Sequence, residues 1–433
     1  MRRPSDILRR GMRSLLETLR SLFSRLASAL RDAPRRLDAR LDGFLGRRPR
    51  FTAYLARYGA LVFLLIGGVF VVAAAAAPEG RGQQLVYASG EGEVLAASPE
   101  PGVEPLPVFE PAEGELAAAP LLNGGSRSLS FTVLRGEGEG DLRGDLYGAD
   151  LVRGTVAQIQ SADPGEAFLF GGYSYDRSWL MAERFSAEEP PNAAIFTASG
   201  ATRRYVEPEG EDGAAAVIGA AWGAQNSLYA WLSSGEGEGA ASLTAYNFFE
   251  RRQAVVYRTE NRVGLASYNF DSNTAVFDER PPGAPLSESR LVALSGTNRM
   301  PVEGADGLGL YDPSLPVPNL DYGMAVLWTD GERTGVGVFD PATWTFRETG
   351  VLVEAGSRYP QVSYDGALVA TLDRAGTTLT VRRMEDGEVV RRIEGVQPPE
   401  VALDRLREGG IRIPDSAYAS APAPYSWRSF ADS

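Results

Sequence analysis

The 433-residue chain contains no cysteine and no histidine, and it lacks lysine too, so all 43 of its basic residues are arginines. Without cysteine there are no disulfides, thiolate metal sites or cysteine nucleophiles. Without histidine the commonest general base, metal ligand and near-neutral proton switch is missing. Without lysine, Schiff-base chemistry and the phosphate-gripping lysine of nucleotide-binding loops are closed as well. What remains for chemistry is carboxylate, hydroxyl and guanidinium. Turn chemistry, by contrast, is plentiful: 49 glycines and 28 prolines favour many short strands over long helices.

The net charge of −13 divides unevenly. Residues 1–57 hold 15 arginines against five acids, a balance of +10, and the remainder holds 28 arginines against 51 acids, a balance of −23. Between the two lies an uncharged stretch, 58–78, reading YGALVFLLIGGVFVVAAAAAP. As a helix it is long enough to cross the ~30 Å hydrocarbon core of a bilayer. The arginines crowd its N-terminal side, which predicts a cytoplasmic N-terminus and an outer C-terminal part at the plasma membrane. A cleaved signal peptide ending near Ala77 is the rival. The charged region ahead is too long for an ordinary signal peptide, which favours a retained single-pass anchor.

Within the cytoplasmic segment, Leu8, Met12, Leu15, Leu16, Leu19, Leu22, Phe23, Leu26 and Leu30 fall on one face of a helix spanning about 5–32. Arg10, Arg13, Arg20 and Arg31 occupy the opposite face. Such a helix suits the anionic inner leaflet, and a protein partner is the second reading. Nucleic acid is not expected, because the arginines are not interleaved with aromatics and match no known module.

Residues 79–433 read as a repeat array. The clearest unit, YPQVSYDGALVATLDRAGTTLTVRRMEDGEVVRRIEG, parses into strands at 361–363, 368–372, 378–382 and 388–393. Asp365-Gly366, Ala375-Gly376 and Asp386-Gly387 mark the turns between them. Copies of the first turn recur upstream at Asn123, Asp176, Gln225, Asp271 and Asp321, each before an apolar run. With Asp365 these anchors are 44–53 residues apart. Four strands every ~40–50 residues is the period of a β-propeller.

Pro360, Ser363, Asp365, Gly366, Leu368, Val369 and Ala370 together resemble the blade motif of TolB-like, WD40-like propellers. Val362 stands where that motif carries tryptophan, and Tyr364 where it often carries proline. The resemblance implies an all-β propeller fold. The six anchored units and one further interval after Asp365 lead to an expectation of seven blades, six with irregular ends being the alternative. Closure requires that no sheet edge be left open. Two unclaimed strands at 84–88 and 93–97 are expected to complete the last blade together with a strand from the C-terminal end, for which 411–413 is the candidate. A short helix is the alternative for 402–407. The six tryptophans (Trp179, Trp222, Trp231, Trp328, Trp344 and Trp427) are expected to fill the core between blades.

No catalytic, cofactor or metal residue is nominated. The outer acids match no motif for a catalytic pair, and the Gly-Glu runs at 136–141 and 235–239 lack the ligand spacing of a calcium loop. The turn residues Asn123, Asp176, Gln225, Asp271, Asp321, Asp365 and Gly366 carry a structural role. Tyr173, Tyr175, Tyr268 and Tyr322 lie close to those turns and are candidates for an apolar pocket. A non-enzymatic outer domain that binds a protein or other ligand through a propeller face is the first functional reading. A sensor reporting to a cytoplasmic partner and a carboxylate-dependent hydrolase of cell-surface polymer are the alternatives.

Overall fold

The computed structural model describes residues 82–429 apart from 123–127, 137, 139, 175–177, 198–202, 207–208, 211–212, 215, 224–226, 234–240, 248–249, 251, 265, 270–271 and 318–322. The amphipathic segment 5–32 and the apolar segment 58–78 therefore lie outside the described residues. Among the described residues no helix is long and apolar enough to cross a membrane.

Turn residues cut the chain into short antiparallel meanders, and the C-terminal one shows how. Gly366, Gly376 and Gly387 all sit at positive φ (74°, 78° and 73°), where a side chain would strain the backbone. They separate strands Arg358–Val362, Leu368–Leu372, Thr378–Arg383 and Val389–Glu394, which pair in that order as sheet 6. These are the four strands the sequence predicts for this unit, shifted at some ends by one to three residues.

The other sheets repeat the plan. An eight-stranded sheet consists of two meanders. Sheet 2a holds Leu116–Leu122, Ser128–Arg135, Arg143–Asp150 and Thr155–Gln160, and sheet 2b holds Glu166–Tyr173, Trp179–Ser186, Asn192–Thr197 and Arg203–Val206. A single parallel bridge, Gly144 to Ala167, joins them. A Cβ on Gly144 would come within 2.7 Å of the Ala167 Cβ, so only glycine permits this approach.

Sheet 3 contains Ala216–Trp222, Ser227–Ser233, Ala241–Asn247 and Arg252–Thr259. Sheet 4 contains Thr274–Arg280, Arg290–Ser295 and Asn298–Met300, with a first strand broken into Arg262–Val263 and Ser267–Asn269. Sheet 5 contains Gly323–Thr329, Thr334–Asp340 and Thr345–Val353, its first strand broken into Gly309–Tyr311 and Pro316–Val317.

Sheet 1 is built from both ends of this unit. Its order is Leu106–Phe109, Val94–Ala97, Gln83–Ala88, then Tyr425–Ser429 from the far C-terminus. The two expected N-terminal strands are present, but 411–413 is not the closing strand. Ile411 and Ile413 are buried instead beneath two helices, α1 (Pro399–Glu408) and α2 (Asp415–Ser420). Their apolar side chains are needed there, in a cluster with Leu403 and Leu406 of α1. The helix expected at 402–407 is the core of α1.

Apolar clusters fill the spaces between consecutive sheets. Val86 and Val94 meet Phe131 and Val133 between sheets 1 and 2a. Leu146 meets Phe168 between 2a and 2b, and Met181 meets Val217 between 2b and 3. Trp231 packs on Phe277 between sheets 3 and 4, and Val276 on Met324 between 4 and 5. Leu327 meets Val362 between 5 and 6, and Leu372 meets Leu85 between 6 and 1. The succession returns to its start. Each sheet is therefore buried on both faces, as the unbroken burial of Gly323–Thr329 and Leu368–Leu372 shows. The last strands, such as Thr155–Gln160 and Val389–Glu394, are largely exposed. Trp222, Trp231, Trp328 and Trp427 are buried, whereas Trp179 and Trp344 are only half-buried.

Candidate functional site

The first strand of most sheets carries a bulge, where extra residues bow the strand out of register. Pairing slips between Ala118 and Leu121, Leu169 and Gly172, Val217 and Gly219, and Arg358 and Gln361. In sheets 4 and 5 the same feature breaks the strand in two, after Val263 and after Tyr311. The bulges recur about every 50 residues, the period of the array. Ala119, Phe170, Asp312 and Tyr359 adopt positive φ there (52°, 54°, 49° and 54°). That region is uncommon for any residue but glycine and asparagine-like side chains, so neighbouring contacts must hold it.

Those contacts come from the adjacent sheet. Ser130 of sheet 2a donates to the Gly171 carbonyl of sheet 2b. Glu183 of sheet 2b accepts the Ala220 N–H of sheet 3 at 3.1 Å. Asp278 of sheet 4 accepts the Asp312 N–H of sheet 5 at 3.3 Å. Asp312 in turn accepts the Tyr359 N–H of sheet 6 at 3.0 Å. Tyr425 of the closing strand sets its hydroxyl between the Tyr359 carbonyl and the Ala370 carbonyl, the latter at 2.9 Å, and its one proton is shared by the two.

At the junction of sheets 4, 5 and 6 these ties bring several titratable side chains together. Asp278 and Asp312 are half-buried. Burial, and then the charge of Asp312, push the Asp278 carboxyl up to about 7. Burial raises Asp312 as well, against the opposing pull of the Tyr359 amide and of Arg358, Arg280 and Arg262. Arg358 stacks over the Tyr359 ring, 4.6 Å from its centroid, and pairs with Glu400 in the first turn of α1. Although burial works against its charge, the hydroxyl of Tyr359 and the carboxylates of Glu400 and Asp312 hold Arg358 firmly protonated.

The remaining buried acids are tied within their own sheet or to the next one. Asp145 pairs with Arg135 at 2.8 Å and accepts the Ala162 N–H. Glu279 is held by Tyr257, Thr259 and Arg299. Among the described residues Glu183 pairs with no cation, and one of its oxygens has no hydrogen-bond partner. Burial pushes it up to about 8, so it is neutral at pH 7. Among the described residues no group of three or more acids is placed to hold a metal ion.

The turn residues singled out in the sequence occupy one class of connection. Asn123, Asp176, Gln225, Asp271 and Asp321 fall, in chain order, between the first and second strands of sheets 2a, 2b, 3, 4 and 5. Their own placement lies outside the described residues, as does that of Tyr175 and Tyr322. Asp365 is described: it takes a 2.5 Å hydrogen bond from Ser363 and one from the Ala367 N–H, while Ser363 also receives the Leu368 N–H. This turn reaches sheet 1 through the Tyr364 N–H and Gln83. Tyr268 is buried and stacks on Tyr229, and Tyr173 is half-buried. The acid pair Asp278–Asp312 is not among the sequence candidates. The sequence signal for it is an acid in the second strand of two units, Glu183 and Asp278, each of which accepts an amide of the next sheet.

No protein-family model matches the chain, and no curated protein matches it in sequence. Solved structures do. An oligogalacturonate lyase from Vibrio parahaemolyticus aligns with a TM-score of 0.50 at 12% identity, over 72% of this chain and 85% of that one. A prolyl endopeptidase aligns with a TM-score of 0.51 at 9% identity, over 74% of this chain and 49% of that one. TolB from Acinetobacter baumannii aligns less closely, with a TM-score of 0.43 at 14% identity, over 82% of this chain and 69% of that one. The likeness is one of fold. The described chain is an all-β, propeller-like assembly of antiparallel sheets, and identities this low carry no activity across to it.

Proposed function

We propose that this protein is a non-enzymatic interaction domain: a seven-bladed β-propeller held outside the plasma membrane by the segment 58–78, binding a protein or other ligand through one face. The blade number rests on seven four-stranded meanders separated by seven apolar clusters. Anchoring rests on the sequence, where arginine-rich residues 1–57 precede an uncharged span and an acidic remainder follows.

One observation carries the non-enzymatic reading. Asp278 and Asp312 each spend a carboxyl oxygen on a backbone amide of the neighbouring sheet. They serve the ring before they serve a substrate. Loops at the ends of a propeller are where binding residues gather. An outer balance of −23 favours a basic partner.

Cross-linking in native membranes, followed by purification of the full chain, tests this. The reading expects a partner whose retention falls with salt, because the screening length shrinks from about 10 Å at 0.1 M to about 3 Å at 1 M. Turnover of a cell-surface polymer, abolished by Asp278→Asn or Asp312→Asn in a folded variant, would replace it with the hydrolase reading.

A further inference from the structure

Three turns gather at the end of the sheets where strand Gln83–Ala88 begins. Gln83 accepts the Tyr364 N–H of sheet 6, and in the turn 384–388 of that sheet Met384 donates its N–H to the nearby Ala367 carbonyl. Gln84 pairs with Arg428, which donates to the Leu151 carbonyl beside the turn 151–154 of sheet 2a, at 2.9 Å. Strand Val94–Ala97 runs back to the same end, Ala97 pairing with Leu85, and delivers the connection 98–105 there. Arg391 of sheet 6 holds that connection by the carbonyls of Ser98, Glu100 and Val103.

These turns keep apolar side chains in water. Val103, Leu106, Val152, Val156 and Val389 are all exposed, Leu106 by 61% and Val152 by 52%. Backbone ties fix two of them there. Arg391 pins the Val103 carbonyl, and Asp150 accepts the N–H groups of Val152 and Arg153, both at 3.0 Å. At the opposite end of the same three sheets, among the described residues, Val401 of α1 is the one large apolar side chain left exposed. Exposed apolar groups collected at one end mark a contact surface.

The chain itself says what lies nearby. Residue 82 follows Pro78, the last of the uncharged stretch 58–78, by four residues, a connection that reaches at most about 14 Å. We propose that the turns of sheets 6, 1 and 2a rest on the headgroup layer of the bilayer, an inference that stands on the anchoring reading above. Each aliphatic contact is small, but so short a tether holds the rim at high local concentration beside the surface. Residues 98–105, 150–154 and 383–388 carry six acids against two arginines. Anionic lipid repels such a rim, so the surface it fits is zwitterionic.

The chain has no native cysteine, so one introduced cysteine carries one fluorescent label. Full-length Val103→Cys, Val152→Cys and Val389→Cys, with Leu352→Cys and Val401→Cys as references, are placed in phosphatidylcholine vesicles containing headgroup-spin-labelled phosphatidylcholine. Labels at 103, 152 and 389 should be quenched at least about twofold more than the references. Replacing part of the lipid with phosphatidylglycerol should weaken that quenching, and Val103→Ser with Val152→Ser should reduce it at 389. Rim labels quenched no more than the references, in a protein that stays with the vesicles after alkaline carbonate, overturn the proposal and leave the anchor standing. The apolar turns then belong to a protein partner or a second copy of the chain. Release by carbonate removes the anchor, and the proposal with it.

Discussion

At Gly335 the sheet admits nothing larger than hydrogen. Trp328 on the neighbouring strand lies across it, and a Cβ would come within 2.7 Å of the indole. Gly337 is tighter still, since a Cβ there would come within 2.2 Å of the Phe346 ring. Gly335→Ala and Gly337→Ala are each expected to destabilise the protein by about 1–3 kcal/mol through overpacking, read by chemical denaturation. A second residue-scale prediction concerns Glu183. Its carboxyl is buried and raised to about 8 from an ordinary value near 4.5. The folded state therefore binds its proton more tightly than the unfolded state, and the stability this proton supports is present below pH 4.5 and lost as pH rises toward 8. Glu183→Gln keeps an oxygen for the Ala220 N–H and removes the titration. It should match the wild type near pH 4.5 and exceed it by about 2–4 kcal/mol at pH 8. Equal stability of the two proteins at pH 8 would mean that the charge is solvated after all.

Among the elements, α1 and the closing strand matter most. Leu403 and Leu406 are fully buried against Leu134, Phe170 and Phe185 of sheets 2a and 2b. Leu403→Ala is expected to cost about 2–5 kcal/mol in an unfolding titration, the range for a core leucine, so α1 is part of the body and not an appendage. Removing residues 82–98 takes two strands from sheet 1 and bares the edge of Tyr425–Ser429. That deletion should produce aggregation or a large loss of thermal stability. The strands were legible in the sequence because Asp-Gly and similar dipeptides mark where each one stops. The bulges were not, since Ala119, Phe170, Asp312 and Tyr359 share no chemistry that a single sequence can display. The closing strand was misplaced for a related reason. Ile411 and Ile413 alternate like a strand, whereas YSWRS is five residues whose pairing partner lies at the other end of the unit. Asp278 is not distinguished because VFDER reads as the polar end of an ordinary strand; only the facing sheet gives its carboxyl an amide to hold.

For the whole molecule, the arginine asymmetry predicts that protease added to intact cells digests the part after residue 82 and spares 1–57. A mature N-terminus near Ala77 or Pro78, found by mass spectrometry, would instead establish cleavage. The two ends of the propeller-like unit meet in sheet 1, where Gln84 faces Arg428 across adjacent strands. The absence of native cysteine makes this directly measurable. In the double variant Gln84→Cys, Arg428→Cys, the two thiols are the only ones in the chain, and paired antiparallel positions lie within disulfide range. Mild oxidation of the full chain should form an intramolecular cross-link that speeds migration on a non-reducing denaturing gel. Thiols that stay free, or that link only between molecules, would contradict the closed ring.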